Sequence, residues 1–356
     1  MQLIQDRCNS LFARDYVVTL IDNVDLCPTY PLQIILVVGY LDLTVEDLTI
    51  VPSQFPEKIT ELMSDSKDCR TRSRFPVPVI NIDGKNICRS AGLVEKAEMI
   101  LKKAKATDLK DLIRDGIHTS KGEVRSLDIS WLKTLKIKHI IDLMNEKTRS
   151  FMGVVPLCSG EATYEEYVRQ FSLNAMPFPG VTAYKGFKED REQNIPLSEG
   201  RKVKDSESVA ILGLSTSYDL PHPHDSWDSY RSWNIVKLLQ NYFRYIFHLL
   251  KSGTDQDGLL IHCISGWDRT PMFIGIIRIL LWAEGLVHKS LDSKQILYLV
   301  IGYDWLLFGH QLVSRLKEGS HIFYFSFWVL QYLLDEEFSM QGTSELELDR
   351  SQSCPI

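Results

Sequence analysis

A nine-residue run, His262-Cys263-Ile264-Ser265-Gly266-Trp267-Asp268-Arg269-Thr270, constrains this chain more than any other stretch. It follows Gly258–Ile261, which is short and apolar and reads as a fully buried strand. It precedes Pro271–Trp282, which reads as a helix with Thr270 at its cap and Pro271 at its first position. A cysteine thus ends a strand and an arginine opens a helix. The five residues between them form a tight loop. Its backbone N–H groups, with the positive end of the helix, make an anion cradle. A thiol in that setting ionises easily, because adjacent positive charge stabilises the thiolate.

These residue types suit a phosphate monoester. Cys263 supplies a thiolate, and the planar fork of Arg269 matches the equatorial oxygens better than a lysine point charge would. Ile264, Ser265, Gly266 and Trp267 offer backbone amides, and Gly266 lets the chain approach the anion with no Cβ in the way. Thr270 can donate its hydroxyl hydrogen to the sulfur. Asp268 is the one acid inside the loop and the first candidate to protonate a leaving oxygen.

With 356 residues the chain has ample material for a core, as one large domain or two. A net charge of −6 argues against a general nucleic-acid binder, so an anionic ligand must meet a local basic patch. No leader-like layout is expected at the start, and the longest apolar stretches, such as Leu32–Leu41 and Ile322–Leu334, are too short to span a bilayer. Seven scattered cysteines without metal-type spacing point to a reducing compartment, and Cys27, Cys69, Cys88 and Cys158 read as structural.

Residues 1–104 are expected to form a separate mixed, β-rich lobe, with strands at Tyr16–Ile21, Ile34–Val38 and Phe75–Ile80 and a short helix at Phe55–Met63. The basic run Arg70-Thr-Arg-Ser-Arg74 reads as a solvated loop. Residues 105–340 alternate strand and helix, which favours an α/β fold with a central, mostly parallel sheet flanked by helices. Within them Val209–Leu214 is expected as a strand, Ser226–Leu250 as one long helix and 183–204 as a polar loop. In that loop Lys185, Lys188 and Arg191 stand among acids, either as ordinary surface charges or as a basic lip for a phosphorylated substrate. Residues 341–356 are polar and read as a disordered tail.

The His-Cys-x5-Arg-Thr pattern resembles the cysteine-dependent phosphatases, and Gly266–Thr270 is similar to the myotubularin family in particular. A second stretch supports this: Asp304-Trp305-Leu-Leu-Phe308-Gly309-His310, followed by the aromatic segment Ile322–Gln331. Ile87–Ala91, Pro177–Gly180 and Glu337–Ser339 are most similar to the divergent Jumpy, or egg-derived tyrosine phosphatase, type within that family. The resemblance implies a cysteine-dependent phosphatase fold. It also implies a phosphoinositide 3-phosphatase that acts on the 3-phosphate and 3,5-bisphosphate lipids at a membrane surface, from a cytoplasmic, peripheral location. On it Cys263 is the nucleophile, Arg269 the phosphate clamp and Asp268 the acid, and no cofactor or metal is needed. Where the family has Ser-Asp, this chain has Ile264-Ser265. Of two arginines that usually follow the Phe-Gly-His element, one position holds Gln311 and the other Arg315, which is expected to contact a second ring phosphate.

Two other readings stay open on the residues alone. A phosphotyrosine or dual-specificity phosphatase would share the cradle, and Asp228, 35 residues before Cys263, is then a rival acid. A catalytically silent phosphoinositide-binding scaffold is the other, against which the intact Cys263, Asp268 and Arg269 weigh. A metal hydrolase is disfavoured, since the histidines lack metal-type spacing. His262 reads as a hydrogen-bonding strut and His310 as structural.

Overall fold

Gly258–Cys263 folds as the strand that its apolar pattern predicts, with all six residues buried. A strand buried on both faces must lie inside a sheet covered on each side, and this one occupies the centre of the main sheet. The computed structural model describes residues 1–37, 55–95, 121–151, 155–195, 210–221, 225–254, 257–334 and 338–340. Its strands in chain order are β1 (Val18–Asp22), β2 (Gln33–Val37), β3 (Val77–Ile82), β4 (Lys85–Ala91), β5 (Leu93–Val94), β6 (Ile137–Asp142), β7 (Thr148–Phe151), β8 (Val155–Ser159), β9 (Ser172–Ala175) and β10 (Gly258–Cys263). The helices are α1 (Gln2–Phe12), α2 (Phe55–Lys67), α3 (Lys121–Thr134), α4 (Glu165–Val168), α5 (Phe187–Glu192), α6 (Ile235–Ser252), α7 (Arg269–Ala283), α8 (Ser293–Tyr298), α9 (Leu312–Lys317) and α10 (Ile322–Trp328), with a π-helical stretch at Leu299–Leu307.

The main sheet runs β3-β4-β10-β6-β9. β10 pairs parallel with both β4 and β6, and β6 pairs parallel with β9. Only β3 runs against its neighbour, joined to β4 by the turn Asp83-Gly84, whose φ values of 45° and 89° are those of a tight hairpin. The sheet is therefore mostly parallel, as the strand–helix alternation predicts. α7 packs on β10 and β4, α3 on β6, and the rings of Phe243 in α6 and Phe273 in α7 stack with centroids 5.2 Å apart. In open parallel sheets ligands bind beyond the carboxyl ends of the strands, and Cys263 is the last residue of the central one.

Several expectations are corrected. Residues 77–91, assigned from the sequence to a separate lobe, supply two strands of the main sheet, because β4 completes the pairing of β10. The turn before α7 is capped in position by Asp268 rather than Thr270, which is already helical. The long helix splits into a 3₁₀ turn at Trp227–Ser232 and α6, which starts where the Asn234 side chain accepts from the N–H groups of Val236 and Lys237. Of the strand expected at Val209–Leu214, residue 209 lies outside the described residues, and the rest forms a single bridge from Gly213 to Ala175. The expected polar loop contains α5, and the tail 341–356 lies outside the described residues.

Candidate active site

The thiol of Cys263 is buried and accepts a hydrogen bond from Thr270 Oγ1 at 3.3 Å. Burial alone would raise its pKa. The Arg269 charge and the hydroxyl and N–H of Thr270 outweigh burial and hold it below its ordinary value. Gly266 has φ +65°, and a Cβ there would lie 2.6 Å from the Ser90 carbonyl oxygen, so only glycine fits this bend against β4.

The loop is held from outside by carbonyl anchors. Gly92 N–H donates to the carbonyls of Cys263 (2.8 Å) and Ile264 (3.2 Å), while Arg74 and Arg89 both donate to that of Gly266, at 3.1 and 2.9 Å. In a trans peptide N–H and C=O point opposite ways, so tying down these oxygens turns the N–H groups of Ser265, and of Trp267, away from the anchors. Arg269 Nη1 donates to the carbonyls of Leu143 (2.7 Å) and Phe178 (3.0 Å), just beyond β6 and β9.

Arg70-Thr-Arg-Ser-Arg74, read from the sequence as a solvated loop, is instead part of this framework. Arg70 is fully buried, with Nε and Nη2 on the Asp128 carboxylate at 3.0 and 2.6 Å and Nη1 on Glu161. Arg74, also buried, reaches Gly266, Phe308 and Thr29. Between them Arg72 and Ser73 take left-handed φ of 58° and 57°, a strained pair costing on the order of 1–3 kcal/mol per residue. That bend lays the Arg72 guanidinium 4.1 Å over the Trp267 ring and lets Nη1 donate to Ser265 Oγ at 2.7 Å. The signal in the sequence was the i, i+2, i+4 spacing of three arginines directly before the apolar segment Phe75–Ile80.

Behind the thiol, His262 Nε2 lies 2.7 Å from Glu161 Oε2, out of line for a hydrogen bond, and its Nδ1 lies 3.8 Å from Asp142 Oδ1. Burial disfavours a charged imidazole, but Glu161 and Asp142 outweigh it and raise His262 to about 9. Those three residues come close enough together to suggest a metal site. A protonated imidazole offers a metal no lone pair, and the Arg70 cation already bonds the Glu161 carboxylate, so the cluster fits a buried ion-pair strut better.

At the helix entrance, Asp268 accepts from Arg315 twice, Nε to Oδ1 and Nη2 to Oδ2, each at 2.8 Å. His310 Nε2 lies 3.2 Å from Oδ1. Burial would raise the Asp268 carboxyl, but His310 and Arg315 outweigh it and hold it below the usual range. His310, expected to be structural, does pack edge-on to Trp305 at 4.6 Å, and it also joins the Asp268 cluster. Arg315, expected to contact a second ring phosphate, pairs here with the loop acid. Asp304 is fully buried and holds Arg278 of α7 through two bonds, Nε to Oδ2 at 2.8 Å and Nη2 to Oδ1 at 2.7 Å.

The expected basic lip is divided. Lys185 bridges to Ser320, and Gly186 N–H donates to Gly319 at 3.1 Å, so this strip adjoins the segment that follows Arg315. Lys185 and Lys188 are exposed, Lys188 with Glu192 3.6 Å away. Arg191 stacks over Phe187 and Trp328, at 5.6 and 5.7 Å, and acts as a packing residue. Asp228 sits on the 3₁₀ turn, its N–H donating to Ser226 Oγ at 3.2 Å. It lines a groove of about 570 Å³ bounded by 211–218 and 227–231, which no residue of the cysteine loop lines.

A thiol lowered by a buried guanidinium, beside loop amides turned away from their carbonyl anchors, can attack a tetrahedral anion and hold the trigonal charge that develops. Comparison with known proteins agrees with that class of chemistry. The chain is 36% identical over 375 aligned positions to the human phosphatidylinositol-3,5-bisphosphate 3-phosphatase MTMR14, covering all of this chain and 56% of that protein. With the Mus musculus protein of the same name it shares 35% over 361 positions, covering 96% of this chain and 55% of the relative. A shorter match, 36% over 76 residues and 21% of this chain, reaches 6% of the human phosphatidylinositol-3,5-bisphosphate 3-phosphatase MTMR4. No family model matches the chain. The chain belongs to the myotubularin-related family and spans a little over half the length of the first two relatives.

Proposed function

We propose that this chain is a phosphoinositide 3-phosphatase of the cysteine-dependent phosphatase fold, which removes the 3-phosphate of phosphatidylinositol 3-phosphate and of the 3,5-bisphosphate. The observation that carries the reading is the Cys263 thiol, lowered by Arg269 and Thr270 at the carboxyl end of the central strand. In the proposed reaction Cys263 attacks phosphorus, the amides of Ile264–Trp267 and Arg269 hold the equatorial oxygens, and Asp268 protonates the leaving inositol oxygen. Thr270 keeps its hydrogen bond to sulfur and so eases the later departure of the thiolate. Arg72, already at the loop through Ser265 and Trp267, adds positive charge at the rim.

The relatives' names carry the substrate class, and the cradle carries the reaction type. Phosphate release from a panel of phosphoinositide vesicles and one phosphotyrosine peptide tests both. The expected result is preference for the 3-phosphorylated lipids, persistence in EDTA and inhibition by vanadate. Faster hydrolysis of the peptide than of phosphatidylinositol 3-phosphate would assign the chain to protein phosphatases instead.

The proposed setting is a membrane surface, which the enzyme visits without spanning it; no helix among the described residues is long and apolar enough to cross a bilayer. With a net charge of −6, encounter with an anionic surface needs local positive charge, for which exposed Lys185 and Lys188 are placed beside the Arg315 segment. Changing both to alanine is expected to raise KM on vesicles and flatten its salt dependence, with kcat and turnover of a soluble aryl phosphate unchanged. Equal losses on lipid and aryl phosphate would assign them to the fold.

A further inference from the structure

Asp268 is a poor proton donor while both of its oxygens accept from one guanidinium. Arg315 bonds them at 2.8 Å each, and His310 stands 3.2 Å from Oδ1, surroundings that favour the ionised carboxylate over the proton-carrying acid. The titratable and charged groups that face Asp268 are these two, with Arg74 and the Cys263 thiol also within its electrostatic reach. Arg315 is less firmly placed than its partner: its side chain is 20% exposed, on the six-residue helix α9, and shares Nη1 with the exposed Glu318 at 3.2 Å.

We infer that Arg315 is a clamp that the substrate displaces: a second anionic group on the inositol ring draws the guanidinium off Asp268 and thereby frees the acid. The inference rests on the phosphatase reading above. The exchange is close to even for Arg315, since a planar fork binds phosphate oxygens as readily as carboxylate oxygens. For Asp268 it is decisive. Freed of the cation, it takes a proton from solvent. Cys263 Sγ then bonds to phosphorus as the P–O bond to the ring breaks, and the leaving oxygen takes the electron pair and the Asp268 proton. In the second step water attacks phosphorus and gives its proton to the Asp268 carboxylate. The P–S bond breaks, phosphate departs and the thiolate is restored.

The clamp predicts a substrate-dependent effect of the opposite sign to that of a simple binding residue. In the full chain, kcat should be higher on the 3,5-bisphosphate than on the 3-phosphate, because only the former offers a second phosphomonoester, the phosphodiester to the lipid being common to both. Arg315→Gln leaves Asp268 permanently free, so kcat on the monophosphate should rise toward the bisphosphate value, by up to roughly 10²-fold, the scale of general-acid assistance. On the bisphosphate kcat should stay near the wild type while KM rises. A general acid works only while protonated, so its rate falls as pH rises through its pKa. Removing the cation raises that pKa, and the falling limb of the monophosphate kcat profile should move to higher pH. Arg315→Lys, a charge without a fork, should fall between the two. Aryl phosphate turnover, which needs little acid assistance, reports on an intact loop and should persist in both variants. Parallel losses on both lipids, loss of aryl phosphate turnover, or an unmoved pH limb would overturn the clamp and leave Arg315 as an ordinary binding or structural residue. Absence of wild-type activity on every phosphoinositide would be a different result, overturning the phosphatase reading itself.

Discussion

Cys263→Ser is expected to abolish turnover of every phosphate ester while vesicle binding stays intact, with kcat falling on the order of 10⁶-fold, the scale of removing an enzymic nucleophile. The cradle lowers the thiol through Arg269 and Thr270, but a serine hydroxyl starts far higher on the acidity scale, and the same surroundings cannot ionise it near neutrality. The substitution replaces sulfur with oxygen and leaves the anchors from Gly92, Arg74 and Arg89 in place, so the anion should still bind. Single-turnover assays would show no phosphoenzyme in the variant. Substantial residual turnover would exclude a covalent cysteine mechanism. In the wild type the rate should rise with pH through the thiol's lowered pKa, since the thiolate is the reacting form. Dilute peroxide should inactivate it, with recovery in added thiol.

The next largest effect is expected at the acid. Asp268→Asn should cost about 10²–10⁴-fold in kcat on the 3,5-bisphosphate, whose ring alkoxide is a poor leaving group, and far less on an activated aryl phosphate. Asp228→Asn should leave both rates near the wild type. Asp268 stands at the helix entrance in the loop, whereas Asp228 lies in the first turn of a 3₁₀ helix capped by Ser226 and lines a separate groove. If Asp228→Asn shows the leaving-group signature and Asp268→Asn does not, the roles are reversed. Because Asp268→Asn also removes a partner of Arg315, the ratio of the two substrates, rather than either rate alone, is the diagnostic quantity.

The parts of this site that follow from local chemistry were legible in the chain. A buried strand, a glycine bend and a helix start are each encoded within a few residues, and His262–Thr270 contains all three. What supports the loop was not legible, because its meaning is set by residues far away in sequence. Arg70 looks like a surface charge until Asp128 and Glu161 are brought to it, and Arg74 until the carbonyls of Gly266 and Phe308 are. Such a run is usually solvated, and only tertiary pairing makes its burial tolerable. The same holds for 77–91: strands with prolines suggest an edge, and β3 is one, but nothing local says that β4 must lie against β10. The Arg315 position was identified by resemblance, while its pairing with Asp268 depends on the reversal of the chain after the π-helical stretch.

The place of β10 between β4 and β6 also sets when the cysteine loop can take its shape. The two flanking strands leave the ribosome long before the segment that must slide between them, and they cannot pair with each other without closing the gap it needs. A nascent chain therefore carries two unsatisfied strand edges through the synthesis of more than a hundred intervening residues, between Asp142 and Gly258. Contacts of that sequence separation form slowly. The Cys263 thiol arrives on the strand of the sheet that is made last, so a half-made chain lacks the proposed nucleophile and exposes its edges to chaperones or to aggregation instead.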